Sequence, residues 1–287
     1  MQPGTRRAEL ARLRRVGRSA LARFGLAADS VRLLQYEQNA TFKVRARGEA
    51  YVLRISRAGV HDAATIESEA AWLAALARDT SVVAPVPVST SDGRFVVAIE
   101  DPGLDDVQLC VVFRWLEGRL VSRRLTPRHL AQLGELIATL HGQALGWRPR
   151  PGFVRPRVDT LTSPAKRASI ASSPTLPAST RVPTDGDADA ALELVTTLIS
   201  QDAGAAFKDA LDLVWSTTRA LSDRSQPAAL IHADLHHENV LFHDGRIRVI
   251  DFDDCGWGYP LYDLAVELSE VTAREDYGRL SDALLAA

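Results

Sequence analysis

The spacing of apolar residues divides the chain into a first part rich in strands and a second part rich in helices. Residues 5–25 and 62–78 repeat apolar side chains at the helical period. Short apolar runs of the kind found in strands occur at residues 31–36, 41–46, 51–56, 95–99 and 109–115. The first third of the chain is therefore predicted to form an antiparallel sheet, with the helix over 62–78 inserted after its third strand.

Beyond Glu117 and Gly118, which are predicted to form a hinge, helical spacing dominates. Helices are predicted over residues 126–144, 188–200, 205–221 and 261–272, and short strands over 228–231 and 247–250. Residues 147–186 are rich in Pro, Ser, Thr and Arg and lack periodicity, which predicts a loop insertion. We therefore expect an N-terminal lobe over residues 1–116, which includes the helix over 5–25, and a helical C-terminal lobe over 117–287.

The bulk composition narrows the class of protein without identifying its chemistry. The 287 residues are 46% hydrophobic and 24% charged, which is typical of a globular enzyme. A net charge of −2, and the lack of an apolar run long enough to cross a membrane, argue against nucleic-acid and membrane partners. Two cysteines, Cys110 and Cys255, are too few for a disulfide framework, so we expect a reducing, cytoplasmic environment.

Polar residues at a kinase-like spacing interrupt the apolar runs of the second part. Asp234 is followed five residues later by Asn239, and Asp251 and Asp253 come directly after the strand predicted over 247–250. Mg²⁺ prefers oxygen ligands, and phosphoryl transfer needs a carboxylate that orients the attacking hydroxyl. An isolated Asp or Asn is usually a turn residue, but this ordered set with strands on both sides favours Mg²⁺ binding and phosphoryl transfer.

Two stretches of the second part resemble the motifs of a known superfamily. The pattern His-x-Asp-x₄-Asn at residues 232–239, followed by Ile-Asp-Phe-Asp at residues 250–253, resembles the aminoglycoside phosphotransferase and choline kinase superfamily. Residues 256–265 are similar to the stretch that follows the metal-binding aspartate in that superfamily. The resemblance implies an α+β, protein-kinase-like bilobal fold, with a small antiparallel-sheet N-lobe and a mainly helical C-lobe.

The same resemblance implies a role for each motif residue. Asp234 corresponds to the catalytic base and Asn239 and Asp251 to the Mg²⁺ ligands, while Asp253 is expected to assist through a second metal or a water. ATP is the expected donor, and the expected acceptor is a small-molecule hydroxyl, as in an aminoglycoside, choline or homoserine. The backbone of the inter-lobe strand, residues 111–116, is expected to pair with adenine.

The predicted N-lobe offers a cation and an acid at compatible positions. Arg54 occupies the place on the third strand where protein kinases have Lys, and a guanidinium can bridge phosphate oxygens. In the following helix, Glu69 falls on the same face as Ile66 and Leu73, whereas Glu67 lies well away from that face. A carboxylate that faces the body of the protein needs a partner, and we expect that partner to be Arg54.

The loop between the first two predicted strands contains Asn39 and Thr41 but no glycine. It therefore differs from the glycine-rich loop that covers phosphates in protein kinases. It resembles the Asn-x-Thr-Phe loop of small-molecule kinases, which implies that Asn39 or Thr41 contacts a nucleotide phosphate. A plain hairpin with Asn in its turn explains the same residues equally well.

Three histidines near the motif, His232, His236 and His237, support a rival hypothesis. Together with Asp234 they are a candidate Zn²⁺ site for a hydrolase, but that hypothesis leaves the Asp-Phe-Asp stretch without a role. In the kinase hypothesis, His232 packs under the loop that carries the Asp-Phe-Asp stretch, which we call the metal loop, while His236 and His237 flank the acceptor. His141, near the end of a predicted helix, is expected to interact with the C-terminus of that helix.

Two further hypotheses keep the fold and change the function. A bacterial Ser/Thr protein kinase would need an activation segment, but Asp251 leads quickly into the helix predicted over 261–272, which favours a small acceptor. A non-catalytic nucleotide-binding module would explain the arginine and the glycine-free loop, but not the complete motif. The acceptor is expected to enter between the motif loop and the helices of residues 187–222, with the 147–186 insertion as a lid.

Overall fold

The structure, a computed structural model, covers both predicted lobes. It describes residues 3–36, 39–56, 61–102, 106–158 and 229–287, together with Leu213. The helices predicted over 188–200 and 205–221, the acceptor entrance and most of the 147–186 insertion lie outside these residues. Within the described part of the chain, no helix combines the length and the apolarity that a membrane span requires.

The N-terminal lobe is built on a five-stranded antiparallel sheet in the order β1-β2-β3-β5-β4. Its strands are β1 (Ala28–Tyr36), β2 (Asn39–Ala46), β3 (Glu49–Ser56), β4 (Val96–Ile99) and β5 (Gln108–Arg114). The predicted strands are thus all present. The turn between β2 and β3 has positive φ at both Arg47 (52°) and Gly48 (81°), the geometry of a two-residue hairpin that follows the twist of the sheet.

Two helices cover the opposite faces of this sheet. Helix α1 (Pro3–Arg23) packs on one face, where Leu53 and Ile55 of β3 are buried against it. Helix α2 (Ala63–Asp79) lies against the other face and begins at Asp62, whose side chain accepts the N–H of Thr65. Because side chains alternate along a strand, the β3 residue between Leu53 and Ile55 points toward α2 and the C-lobe. That residue is Arg54.

The C-terminal lobe combines helices with two small sheets that carry the motif loops. Among the described residues of this lobe, the helices are α3 (Pro127–Gly146), α4 (Leu261–Val271) and α5 (Tyr277–Leu285), with single 3₁₀ turns at Val121–Arg124 and His237–Asn239. One sheet pairs β7 (Ala229–Ile231) with β10 (Gly256–Gly258), and the other contains β6 (Arg119–Leu120), β8 (Val240–His243) and β9 (Arg246–Val249). The bilobal arrangement of an antiparallel sheet and a mainly helical lobe agrees with the expected fold. The lobe boundary predicted between residues 116 and 117 stays a prediction.

Helix α5 was not predicted, and it packs directly on α3. A Cβ atom added at Gly134 of α3 would lie 2.3 Å from the carbonyl oxygen of Leu284, so the two helices touch through their backbones at this point. Leu280 and Leu284 are buried in this contact. At nine residues, α5 is too short for its periodicity to stand out in the sequence.

Candidate active site

The loop that carries Asp234 follows β7 and is fastened by the ring of His232. The backbone N–H of Asp234 donates to His232 Nδ1 at 3.3 Å, and His232 Nε2 donates to the carbonyl of Ile250 at 3.1 Å. One ring nitrogen accepts while the other donates, so the imidazole is neutral, and burial lowers its pKa. Ile250 precedes Asp251, so a single buried side chain joins the loop of the candidate base to the loop of the candidate metal ligands.

The buried carboxylate of Asp263, on α4, holds the same loop through its backbone. It accepts the N–H groups of His232 at 3.0 Å and Ala233 at 2.8 Å, and Ala233 has a positive φ of 69°. The Nε2 atom of His141 lies 2.7 Å from the same carboxylate. The expectation that His141 interacts with the end of its helix is therefore wrong, because its ring is directed at a buried acid on another helix.

A second buried acid of α4, Glu267, holds the far side of the loop. Its carboxylate accepts the backbone N–H of His237 at 2.6 Å and lies 3.1 Å from the Nδ1 atom of the same residue. Asp263, Glu267 and Val271 follow one another at four-residue spacing and are all buried, so they share a face of α4. In the sequence, this four-residue spacing is the pattern that could have revealed both buried acids. The rings of His237 and His232 thus already have hydrogen-bond partners within the protein, which weakens the hypothesis of a Zn²⁺ site.

Asn239 lies beside Asp234. Its Nδ2 donates both to Asp234 Oδ2 at 3.0 Å and to the Asp234 carbonyl at 2.9 Å. Its amide NH₂ is used in this way, so the amide oxygen is the Asn239 atom suited to a cation. The Nε2 atom of His236 lies 3.4 Å from Asp234 Oδ2, and the hydrogen bond with this carboxylate raises the pKa of His236.

Asp251 and Asp253 face each other on the loop after β9. The negative charge of Asp253, together with burial, raises the pKa of Asp251 well above its usual range. Burial also disfavours the charged form of Asp253, but the positive charge of Arg54 and the hydrogen bond with Asp251 outweigh it and hold its pKa below the usual range. Two neighbouring carboxylates that compete for one proton fit a divalent cation, which neutralises both.

The loop between β1 and β2 reaches this acid pair. Asn39 Nδ2 donates to Asp253 Oδ2 at 3.0 Å, which joins the N-lobe to the metal loop. The other amide atom, Asn39 Oδ1, is buried and has no hydrogen-bond partner among the described residues. Thr41 lines the cavity between the lobes. The structure therefore brings both loop residues to the site.

Arg54 and Glu69 form the ion pair that the helical spacing predicted. Arg54 Nη1 donates to Glu69 Oε1 at 2.9 Å, and Nη2 donates to Oε2 in a second, parallel bond. Arg54 is 7% exposed and Glu69 is 2% exposed. Burial opposes the charge on Arg54, but Glu69 and the nearby acids raise its pKa overall. Glu67, which lies away from this face, instead accepts the backbone N–H groups of Phe95 and Val96.

A cavity of about 340 Å³ lies between the two lobes. Its lining includes Arg54, Glu69 and Asp251, together with Trp115 and Leu116 of the inter-lobe segment. The N–H of Arg114 donates to Val86 at 2.8 Å, and that of Trp115 to Ala50 at 3.0 Å. These two N–H groups of the predicted adenine-binding strand thus already donate to backbone carbonyls, and adenine would be met from Leu116 onward.

Arg155 is a site residue that the sequence did not reveal, because it falls in the predicted loop insertion. Its guanidinium is 6% exposed and donates to three backbone carbonyls. The acceptors are Cys255 at 2.5 Å, Asp253 at 2.6 Å and Thr65 at 3.2 Å. Arg155 therefore touches both the metal loop and the first turn of α2.

This fold and this set of side chains define a phosphotransferase of the protein-kinase-like class. The model of the phosphotransferase enzyme family matches residues 32–287, so the chain belongs to that family. The chain is 25% identical over 254 residues to the amicoumacin kinase of Bacillus subtilis (strain 168), covering 88% of this chain. It spans 66% of that relative, just under two thirds of its length.

Solved structures give the same fold. A microcompartment-associated aminopropanol kinase is 28% identical, with a TM-score of 0.70, and the match covers 95% of this chain and 79% of that one. An amicoumacin kinase in complex with AMP-PNP, Ca²⁺ and Ami is 21% identical, with a TM-score of 0.71 and coverage of 95% and 76%. At that identity the second similarity supports the fold alone. The α+β, protein-kinase-like bilobal fold is confirmed.

Proposed function

We propose that this protein is an ATP- and Mg²⁺-dependent kinase that phosphorylates a hydroxyl group of a small molecule. The observation that carries the proposal is the arrangement of three groups at and beside one inter-lobe cavity. The Arg54–Glu69 pair and Asp251 line the cavity, Asp253 is paired with Asp251, and Asp234, held by Asn239, is joined to the same loop through the ring of His232. A phosphoryl-transfer site needs such parts for the phosphates, the metal and the attacking hydroxyl.

Asp234 orients the acceptor and receives its proton. As the acceptor oxygen forms a bond to the γ-phosphorus, the bond from that phosphorus to the oxygen bridging to the β-phosphate breaks, and the hydroxyl proton passes to Asp234. The hydrogen bond from Asn239 to Asp234 Oδ2 fixes the orientation of the carboxylate that meets the acceptor. Asn239, Asp251 and Asp253 would hold Mg²⁺, and the bound ion would neutralise charge on the phosphates.

The N-lobe residues hold the nucleotide. Arg54, kept charged and oriented by Glu69, binds oxygens of the α- and β-phosphates. Asn39 and Thr41, on the loop between β1 and β2, contact the same phosphates, and the contact of Asn39 with Asp253 keeps that loop over the metal site. The adenine ring occupies the far end of the cavity beside Leu116.

The acceptor is proposed to be a small alcohol that also carries an amine. Glu238 and Glu270, both exposed, act electrostatically on His236, which touches Asp234. A cationic group is therefore favoured on the acceptor side of the base. The similarity to an aminopropanol kinase points in the same direction. By contrast, α4 begins at Leu261, ten residues after Asp251, which leaves little chain for the activation segment of a protein kinase.

The test is phosphate transfer from ATP in the presence of Mg²⁺. Acceptors would include 1-amino-2-propanol, ethanolamine, choline, homoserine, an aminoglycoside and a Ser/Thr peptide, with phosphorylated product identified by mass spectrometry. We expect product from a small amino alcohol, and a loss of at least about 10³-fold for Asp234→Asn. Equal turnover by wild type and this variant would refute the catalytic assignment, and transfer to peptide alone would favour the protein-kinase alternative.

A further inference from the structure

Arg155 lies at the meeting point of three structural elements. One edge of its guanidinium, Nε and Nη2, donates to the carbonyls of Cys255 and Asp253 in the metal loop. Nη1 donates to the carbonyl of Thr65 in the first turn of α2. Arginine presents its donors in a rigid planar fork, so a single side chain can fix several carbonyls relative to one another. Lysine, with a flexible point charge, cannot reproduce this arrangement.

The chain around Arg155 runs as a strap between the lobes, which we define as residues 154–158. At its start, the N–H of Val154 donates to Ser68 Oγ of α2 at 2.8 Å. At its end, Trp257 of β10 donates to Pro156 at 2.8 Å, and Val158 donates back to Trp257 at 2.8 Å. The strap is thus hydrogen-bonded to α2 on one side and to the strand after the metal loop on the other.

The position of α2 matters because this helix carries Glu69. In kinases the cation–acid pair and the metal-binding aspartate must be in place together, and ordering of the activation segment commonly controls both. Here the chain between Asp251 and the start of α4 at Leu261 is short. The strap instead contacts α2 directly, through hydrogen bonds to Ser68 and Thr65.

We propose that Arg155 is a positioning residue that locks α2 and the metal loop in one arrangement, so that the site is assembled without an activation-segment switch. The catalytic part of this proposal rests on the proposed function, but the lock itself is a property of the folded chain. Arg155 acts through Glu69 at one end and Asp253 at the other. Loss of its donors lets α2 move away from Arg54 and lets the metal loop move independently.

The test compares Arg155→Gln with a matched control, Arg148→Gln. Arg148 is exposed and also donates to backbone carbonyls, those of Leu145 and Trp147, but neither hydrogen bond reaches α2. Hydrogen exchange of the α2 amides over residues 65–73 should accelerate at least about tenfold in Arg155→Gln and stay unchanged in the control. Unchanged exchange in both variants would overturn the lock.

Activity adds a second readout, the coupling between the losses caused by replacing Arg155 and Glu69, which a merely structural role would not produce. We expect kcat to fall about 10- to 100-fold in Arg155→Gln at saturating ATP. Combined with Glu69→Gln, the losses should be less than additive, because both changes disrupt the same cation–acid pair. Fully additive losses would mean that Arg155 acts independently of Glu69, and would refute the positioning role.

Two further measurements keep the proposal decidable. If Arg155→Gln does not fold, Ser68→Ala removes the contact with Val154 and should accelerate exchange in the same α2 segment by a smaller factor; no acceleration would overturn the lock. Wild type that has been treated with a phosphatase should keep its full activity, and a dependence on phosphorylation would contradict the absence of a switch. If wild type transfers no phosphate at all, the proposed function fails, while hydrogen exchange still decides the lock.

Discussion

Asn239 Nδ2 donates to Asp234 Oδ2 at 3.0 Å, so the residue proposed to bind the metal also orients the proposed base. One side chain therefore links the two halves of the chemistry. Replacing Asn239 should damage both at once, which separates it from residues that serve only the metal or only the acceptor.

We expect Asn239→Ala to lower kcat by about 10²- to 10³-fold, since Asp234 loses its partner and the metal loses an oxygen ligand. Steady-state kinetics over a range of Mg²⁺ concentrations would measure this loss. Saturating Mg²⁺ should not restore the rate, because misplacement of Asp234 remains. Full recovery at high Mg²⁺ would indicate that Asn239 serves the metal alone.

Asp251→Ala should weaken the Mg²⁺-dependent part of ATP binding by about 10- to 100-fold and leave metal-free ATP binding nearly unchanged. Isothermal titration with and without Mg²⁺ measures both quantities. Asp244→Asn is the control, since that side chain is 87% exposed and lies away from the cavity. An Asp251 variant that keeps the full Mg²⁺ effect would exclude this residue as a ligand.

Glu69→Gln leaves the Arg54 charge buried without its partner, which should destabilise the fold by about 3–5 kcal/mol. Urea unfolding measures this change in the free energy of unfolding. The matched control is Glu49→Gln, which breaks the exposed pair with Arg114, whose side chains are 57% and 58% exposed. That change should have a much smaller effect, because water screens an exposed ion pair. Equal effects of the two substitutions would contradict the assigned importance of burial.

The neutral state of His232 makes stability depend on pH. Burial depresses its pKa below the ordinary value of 6.5, so the unfolded chain binds the proton more readily than the folded chain. This contribution to stability is present above pH 6.5 and is lost as the pH falls through and below that value. His232→Gln should therefore flatten the loss of stability between about pH 7.5 and pH 5.

Urea unfolding at several pH values measures the slopes for His232→Gln and wild type. His243→Gln, at a partly exposed histidine, serves as the control substitution. Parallel curves for wild type and His232→Gln would show that this ring does not carry the pH dependence.

Gly134→Ala should destabilise the protein by about 1–3 kcal/mol, because the added methyl group would lie 2.3 Å from the carbonyl oxygen of Leu284. Gly142, in the same helix, has open space around it, since a Cβ atom added there would meet nothing within 4 Å. Gly142→Ala should be neutral or stabilising by up to about 1 kcal/mol, since alanine favours helices. Thermal unfolding of the pair would compare them, and equal destabilisation would contradict the close packing of α3 and α5.

The sequence predicted those parts of the site that depend on periodicity. The helical period put Glu69 on the inner face of α2, and Arg54, at the place on the third strand where protein kinases have Lys, was its expected partner. Asp263 and Glu267 also lie at the helical spacing of buried residues. The sequence did not show what these two inward acids bind, because their partners lie on loops. Their partners are backbone N–H groups, which nearly every residue type possesses.

The contacts of Arg155 could not be predicted for a related reason. Its acceptors are carbonyl oxygens that are far away in sequence, in α2 and in the metal loop. No residue type marks a carbonyl acceptor, so neither composition nor spacing distinguishes this arginine from its exposed neighbours. The unpredicted helix α5 reflects another limit, since its position is fixed by backbone contact at Gly134 rather than by a long apolar stripe.

The ring of His232 receives a bond from Asp234 and gives one to Ile250, next to Asp251. The proposed base and the proposed metal carboxylates therefore belong to one hydrogen-bonded unit within the C-lobe. A displacement of Arg54 would change its distance to this unit, but would leave the internal spacing of the unit unaltered. Delivery of the phosphate and alignment of the proposed base are thereby separable: the placement of Arg54 governs the first, and the C-lobe alone determines the second.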